Sequence, residues 1–349
     1  MKLQCLNCRN PLKKNDDLML CHLCGARYAI INGIPCIEGK DNEQIWEFTN
    51  EKNAKDVLEN AITKGWEDAI RTQFGKKKSE WIASESRAEA LFLTNIGNNS
   101  VVLDAGTGWG ALAFPMAKIA KEVYAIDSNI NGLNFIQLRR SQDGNTNVIP
   151  IKCDISNLPF ENESIDIAIL NGVLEWTPLS RTNLKPFEVQ KKILSELNRV
   201  LKRNGQIFIG IENRFGLRYL LGKPDEHTHL RFITVLPRFV ANLYHRFRRK
   251  TDYRTHTHSN MGIIKLMNLS GFPKTDIYSV LPDYRFYKYI VPLDGPSSRK
   301  TFGIFLSMLK HKSITSIKYR FYYHFFRIGG LPSLRLFSNA YIAIGTKDV

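Results

Sequence analysis

The stretch that excludes most folds is Val-Val-Leu-Asp-Ala-Gly-Thr-Gly-Trp-Gly at 101–110. Val101 to Leu103 read as a short buried strand, and 111–120 (ALAFPMAKIA) reads as the helix that follows. Between them Gly106, Gly108 and Gly110 make a bend that few side chains would tolerate. Glycine is needed where the backbone takes positive φ and where a ligand comes close to the main chain. Strand, glycine bend and helix together form the nucleotide-binding turn of a doubly wound α/β sheet. A bend serving only as a turn is the plain alternative, and the downstream sequence argues against it.

The spacing GTGWGA also fits a relaxed dinucleotide pattern, with Ala in place of the third Gly. Asp104 speaks against a nicotinamide or flavin cofactor. It stands at the strand's carboxyl end, where its carboxylate would repel a pyrophosphate. It would attract the ammonium of S-adenosylmethionine, which carries a sulfonium and no phosphate. The run D-A-G-T-G-W-G resembles the first motif of the class I, seven-stranded S-adenosylmethionine-dependent methyltransferases. The resemblance is good over about residues 79–215 and looser elsewhere. It implies an α/β fold, a doubly wound seven-stranded sheet whose last strand inserts antiparallel, and places Asp104, Ala105, Gly106, Gly108 and Gly110 at the cofactor.

Six cysteines are present, four of them within the first 24 residues. Cys5-x2-Cys8 and Cys21-x2-Cys24 are twelve residues apart, and four thiolates suit a closed, structural tetrahedral Zn2+. A disulfide pair or a ribbon without metal is the alternative. So small a module cannot otherwise bury enough core. Residues 1–40 are therefore expected to form a zinc ribbon, and Cys36 and Cys153 to be core or neutral positions. With no signal-peptide-like start and no apolar run near spanning length, a cytoplasmic protein, or one peripheral at the inner face of a membrane, is expected.

Residues 41–78, with Trp46, Phe48, Trp66 and Phe74, read as a helical linker. Residues 79–349 read as the methyltransferase domain, with insertions at about 215–260 and 282–338. Helical spacing over 79–96 predicts a helix placed to lid the cofactor. Strands are predicted at 122–127, 148–154, 164–170, 206–211, 276–281 and 341–346, and helices at 130–140 and 187–201. Asp127 lies about 20 residues past the bend, where an acid bonds ribose hydroxyls; capping the next helix is the alternative. By resemblance, Asp154 accepts from the adenine amino group with Ile155 beside the ring, and the alternative is a capped turn. Asn171, Glu175 and Trp176 follow a strand end, so they are expected to line the site.

Glu212-Asn-Arg-Phe215 leaves the fifth strand at the same edge. IENRFGLRYLLGKPDEHT and the later YRTHTHS resemble a bacterial methyltransferase subgroup associated with surface-polysaccharide assembly. His227 and Glu212 are the candidate bases for a hydroxyl acceptor. His227, His229, His256 and His258 form two H-x-H pairs, but no metal-binding helix signature accompanies them. The chain carries a net charge of +16, suggesting an anionic partner. Residues 231–250 and 299–327 are basic and aromatic without any acid, and hold thirteen Lys and Arg. Such helices suit an anionic bilayer or single-stranded RNA, or simply cover the cleft. The expected acceptor is a cell-surface glycan or lipid-linked intermediate, with ribosomal RNA second. A non-catalytic RNA- or membrane-binding adaptor is the competing class.

Overall fold

The computed structural model describes residues 3–39, 49–314 and 316–348. The cysteine-bearing N-terminus forms four short strands, β1 (Lys13–Asn15), β2 (Leu18–Leu20), β3 (Arg27–Ile31) and β4 (Ile34–Ile37). Helices α1 (Glu51–Lys64) and α2 (Trp66–Ala83) follow. Strand β5 (Val101–Ala105) enters the glycine bend, which leads to α3 (Ala113–Ala117) and β6 (Glu122–Asp127). Next come α4 (Ile130–Gln142), β7 (Val148–Cys153) and β8 (Ile165–Asn171). Then α5 (Pro186–Val200) runs straight into β9 (Leu201–Glu212). An excursion holding α6 (Leu217–Leu220) and α7 (Arg238–Arg249) returns through α8 (Asn260–Leu269) to β10 (Lys274–Leu281). A second excursion carries β11 (Tyr289–Pro292), α9 (Ser298–Ser313) and α10 (Ile317–Phe337) before β12 (Ala340–Thr346).

All twelve strands join one sheet, in the order β1-β2-β3-β4-β7-β6-β5-β8-β9-β12-β10-β11. Its centre, β7 to β10, is the expected seven-stranded arrangement. Strands β7, β6, β5, β8 and β9 are parallel, and β12 inserts antiparallel between β9 and β10. Neighbouring strand residues face opposite layers, so Leu103 joins Ile126, Phe160 and Leu194 while Val102 joins Phe114, Ile136 and Phe208.

Four expectations change. The sheet is larger than seven strands, because β1–β4 continue it at one edge and β11 at the other: β4 pairs in parallel with β7, and Gln4 N donates to Pro159 O at 2.9 Å. The described part of the supposed linker is a packed helical pair, with Ala54, Val57, Ala61 and Trp66 buried against Phe135 and Trp109. Trp46 and Phe48 lie outside the described residues. The single helix expected over 79–96 ends at Ala83, since Ser84 turns extended, and a 3-10 segment continues over Glu85–Leu93. The helix after the glycine bend also contracts, to Ala113–Ala117.

Candidate active site

A cavity of about 750 Å³ opens at the carboxyl ends of the central strands, where ligands of doubly wound sheets bind. Asp104, the last acid of β5, is buried at its wall and accepts from Thr107 Oγ1 at 2.7 Å. Burial pushes its carboxyl up to about 6. Gly106 and Gly108 both take positive φ. A Cβ on Gly106 would stand 2.6 Å from Val173. Below the bend, a Cβ on Gly132 of α4 would lie 2.3 Å from Gly108 O. Asp127 holds the bend itself, accepting from Gly108 N at 2.8 Å and Asn129 N at 2.9 Å. It also lines the cavity, as do Asp154, Ile155 and Asn171. Asp154 accepts from Ser156 N at 2.7 Å and is paired with Arg181, so it does cap a turn. Asn171 Oδ1 is buried without a partner.

The structure does not bring Ala105 or Gly110 to the cavity wall. Ala105 is core, and a Cβ on Gly110 would meet Ile136 and Phe114, so the third glycine serves packing.

The first excursion closes the cavity's far end. Asp225 accepts from Thr228 N and Thr228 Oγ1, each at 2.8 Å, and from His227 Nδ1 at 3.0 Å. His227 Nε2 then faces Glu175 Oε1 at 3.8 Å and Glu212 Oε2 at 3.9 Å. His227 and Glu212, predicted together, are thus neighbours, and Glu175 joins them. Tyr284 donates to Glu212 at 3.2 Å and to Glu175 at 3.5 Å. Burial and the adjacent Glu175 push Glu212 up to about 7. Burial opposes charge on His227, yet Asp225, Glu175 and Glu212 hold it well above its ordinary range. Burial likewise opposes charge on Glu226, but Arg218 and Arg285 bring it down to about 2. Trp176 packs edge-on against His227 with ring centres 4.6 Å apart.

The other histidines separate. His229 lines the cavity, but His256 and His258 stack on each other away from it, with ring centres 4.5 Å apart. His258 Nε2 meets Gln190 Oε1 at 2.7 Å. The Gln190 amide nitrogen is spent on Leu174 O and His256 O, so the imidazole must be the donor. Burial drives His256 to about 2 and His258 to about 3, so both are neutral struts. Asn213 likewise serves structure, donating to Leu336 O and Ser338 O.

Sequence reading missed Arg87, Tyr284 and Arg285, all on the cavity wall. Each is a single residue in a segment read as a helix or an insertion, with no flanking pattern to mark it. Beyond β7 at the sheet's edge, Cys5, Cys8, Cys21 and Cys24 are unbridged, with sulfurs that all lie within 4.8 Å of one another.

Residues 103–209 match the family described as methyltransferase domain. An uncharacterized chloroplastic methyltransferase of Arabidopsis thaliana is 27% identical over 175 residues, covering 49% of this chain and 46% of its own. A probable cobalt-precorrin-6B C(15)-methyltransferase of Methanothermobacter thermautotrophicus is 28% identical over 109 residues, 30% of this chain and 57% of that one. The chain spans about half the length of the first curated relatives it matches. Among solved structures, phosphoethanolamine N-methyltransferase 2 of Haemonchus contortus gives a TM-score of 0.44 at 14% identity, over 85% of this chain and 60% of that one. The class named by the family match and by the two curated relatives is methyltransferase. The matched segment is the centre of the sheet, from β5 into β9.

Proposed function

We propose that this chain transfers a methyl group from S-adenosylmethionine to a hydroxyl of a cell-surface glycan or its lipid-linked intermediate. One observation carries the reading: a single cavity runs from the glycine bend to Glu212, Asp225 and His227. Glu175 is fully buried behind them rather than on the cavity wall as expected. The donor end fits S-adenosylmethionine because it offers acids and close backbone where a dinucleotide would need phosphate donors. Asp104 is placed for the methionine ammonium, Asp127 for the ribose, and Asp154 with Ile155 for the adenine. Arg87, half-buried on the cavity wall, suits the methionine carboxylate. When bound, the cofactor supplies a methyl carbon on a good leaving group, so the protein's task is alignment.

The acceptor end suits a sugar. Carboxylates accept hydrogen bonds from hydroxyls, a protonated imidazole donates to them, and Trp176 offers an apolar face. Of the two candidate bases, Glu212 has an oxygen without a hydrogen-bond partner to receive the hydroxyl proton as the O–CH3 bond forms, whereas His227, held well above its ordinary range by the surrounding carboxylates, already carries its proton. Structural Zn2+ on Cys5, Cys8, Cys21 and Cys24 belongs to the same reading. The sulfur cluster is compact enough for a tetrahedral ion, and these thiols are not oxidised to disulfides. A cytoplasmic protein peripheral to the membrane's inner face fits the basic helices, and no described helix is long and apolar enough to cross a membrane.

The test is a radiolabelled-methyl assay on a cell lysate split into RNA, lipid-linked glycan and protein. Label in the glycan fraction is expected. Predominant label in RNA overturns the acceptor, and a null calorimetric titration of folded protein with S-adenosylmethionine overturns the enzyme.

A further inference from the structure

Two buried carboxylates at the acceptor end each keep an oxygen without a hydrogen-bond partner, and the nearest cation they share is the His227 ring. Glu226 is matched by Arg218 at 3.1 Å, Lys223 at 3.2 Å and Arg285. Asp225 is matched by His227 and Thr228. Glu175 and Glu212 are left to share the Tyr284 hydroxyl, with Arg218 3.9 Å from Glu212. Both side chains are at least 98% buried. On each, Oε2 has no hydrogen-bond partner, and Glu212 Oε2 faces His227 Nε2. Burying an unpaired carboxylate oxygen is costly, so its persistence calls for a missing partner.

We propose that Glu175, Glu212 and His227 Nε2 bind a divalent transition cation, of the Mn2+ or Zn2+ kind, between the donor pocket and the acceptor, the cation displacing the Nε2 proton to solvent. One ligand atom from each of the three lies within 4.8 Å of the others. Bonds of about 2.0–2.2 Å set neighbouring ligands about 3 Å apart and opposed ones about 4.2 Å apart. The observed separations of 3.8 and 3.9 Å fall inside that range. An imidazole with two carboxylates suits Mn2+ or Zn2+ better than Ca2+ or Mg2+. Asp225, holding Nδ1, orients the ring as an outer carboxylate does for a metal-bound histidine. Glu212 and His227 both line the cavity, so the cation's remaining positions face an acceptor hydroxyl. With the cation bound Glu212 is a ligand, and the base role passes to solvent, which takes the proton of the acidified, coordinated hydroxyl.

This rests on the methyl-transfer reading for its purpose but not for its test. Mn2+ binding to the full chain, its ribbon already loaded with zinc, is followed by electron paramagnetic resonance, with S-adenosylmethionine affinity measured alongside by calorimetry. One equivalent of bound Mn2+ is expected. Glu212→Gln and Glu175→Gln should each weaken it at least tenfold. Asp225→Asn should weaken it roughly tenfold or more by loosening the ring. Thermal melting of each variant shows whether it folds, and two independent glutamines guard against one that does not. Folded wild-type protein that takes up no Mn2+, or Mn2+ binding indifferent to both glutamine variants, overturns the cation site. Failure to bind S-adenosylmethionine, with Mn2+ uptake intact, overturns the methyl-transfer reading and leaves the cation site supported.

Discussion

Asp104 is the acid on which the donor assignment turns, and its burial makes it testable by pH. A carboxyl raised to about 6 in the fold, against an ordinary 3.8, holds its proton more tightly when folded than unfolded. Lowering pH from about 6 towards 4 therefore stabilises the unliganded protein. The same protonation removes the charge proposed to meet the methionine ammonium. Affinity for S-adenosylmethionine should fall by about tenfold per pH unit below 6. Asp104→Asn should lose at least tenfold in affinity at pH 7.5, flatten that pH dependence, and leave the melting temperature unchanged or raised. Calorimetry across pH with parallel melting checks this; a variant binding as tightly as wild type removes Asp104 from the site. At this scale the acids were legible in sequence because each ends a strand. Tyr284 and Arg285 were not, since only the chain's return to the sheet edge brings them to Glu212. Asp225 could be named as part of the insertion, but its grip on His227 depends on a loop conformation that no spacing encodes.

Between residue and molecule stand the contacts that hold the bend against α4. Gly132 sits in the first turn of α4, where alanine alone would favour the helix by up to about 1 kcal/mol. Here its Cβ would lie 2.3 Å from Gly108 O, so the backbone of the bend must move. Packing outweighs propensity at such a separation. Gly132→Ala should weaken S-adenosylmethionine binding at least tenfold, measured by calorimetry, although the residue touches no ligand. Retained affinity with raised stability would mean that the bend tolerates displacement. A second fastening lies in α5, where Gln190 joins Leu174, His256 and His258. Gln190→Leu leaves those buried polar groups unsatisfied and should cost about 3 kcal/mol in denaturant unfolding. Strands were the most legible elements, since a buried parallel strand reads as an apolar run between turn residues. Helices were less so. The pattern over 79–96 is amphipathic whichever way Ser84 turns, and the stripe of α1 and α2 looks like linker until α4 is there to receive it.

For the whole molecule, the ribbon and the basic excursions decide how far the sheet's chemistry depends on its surroundings. Because β4 extends the sheet beside β7, loss of the proposed zinc should be felt in the part of the sheet that carries the cavity. A strong chelator, or Cys8→Ser, is expected to lower the melting temperature of the entire chain rather than release an independent module. Sequence spacing could find the four cysteines but not the pairing of Cys36 with Lys152, which has no local signal. The two basic stretches also part company in the fold. Much of the aromatic content of α10 is turned inward, with Phe326 fully buried against the core. Helix α7 instead leaves Phe239, Leu243 and Phe247 at 71%, 61% and 75% exposure, spaced four apart on one face. Arg248, Arg249 and Lys250 follow, and Arg249 donates to Thr228 O, tying this helix to the loop that carries His227. A surface helix with that stripe beside cations suits an anionic bilayer, and it would bring a lipid-linked acceptor to the cavity mouth. Each phenylalanine entering the headgroup boundary contributes up to about 1.5–3 kcal/mol. The protein should sediment with vesicles containing phosphatidylglycerol and far less with phosphatidylcholine alone. Phe239→Ser with Phe247→Ser should cut that binding at least tenfold at moderate salt while leaving S-adenosylmethionine affinity intact. Vesicle binding that vanishes with salt but ignores the double substitution would make the attraction purely one of charge, and the apolar stripe would need another partner.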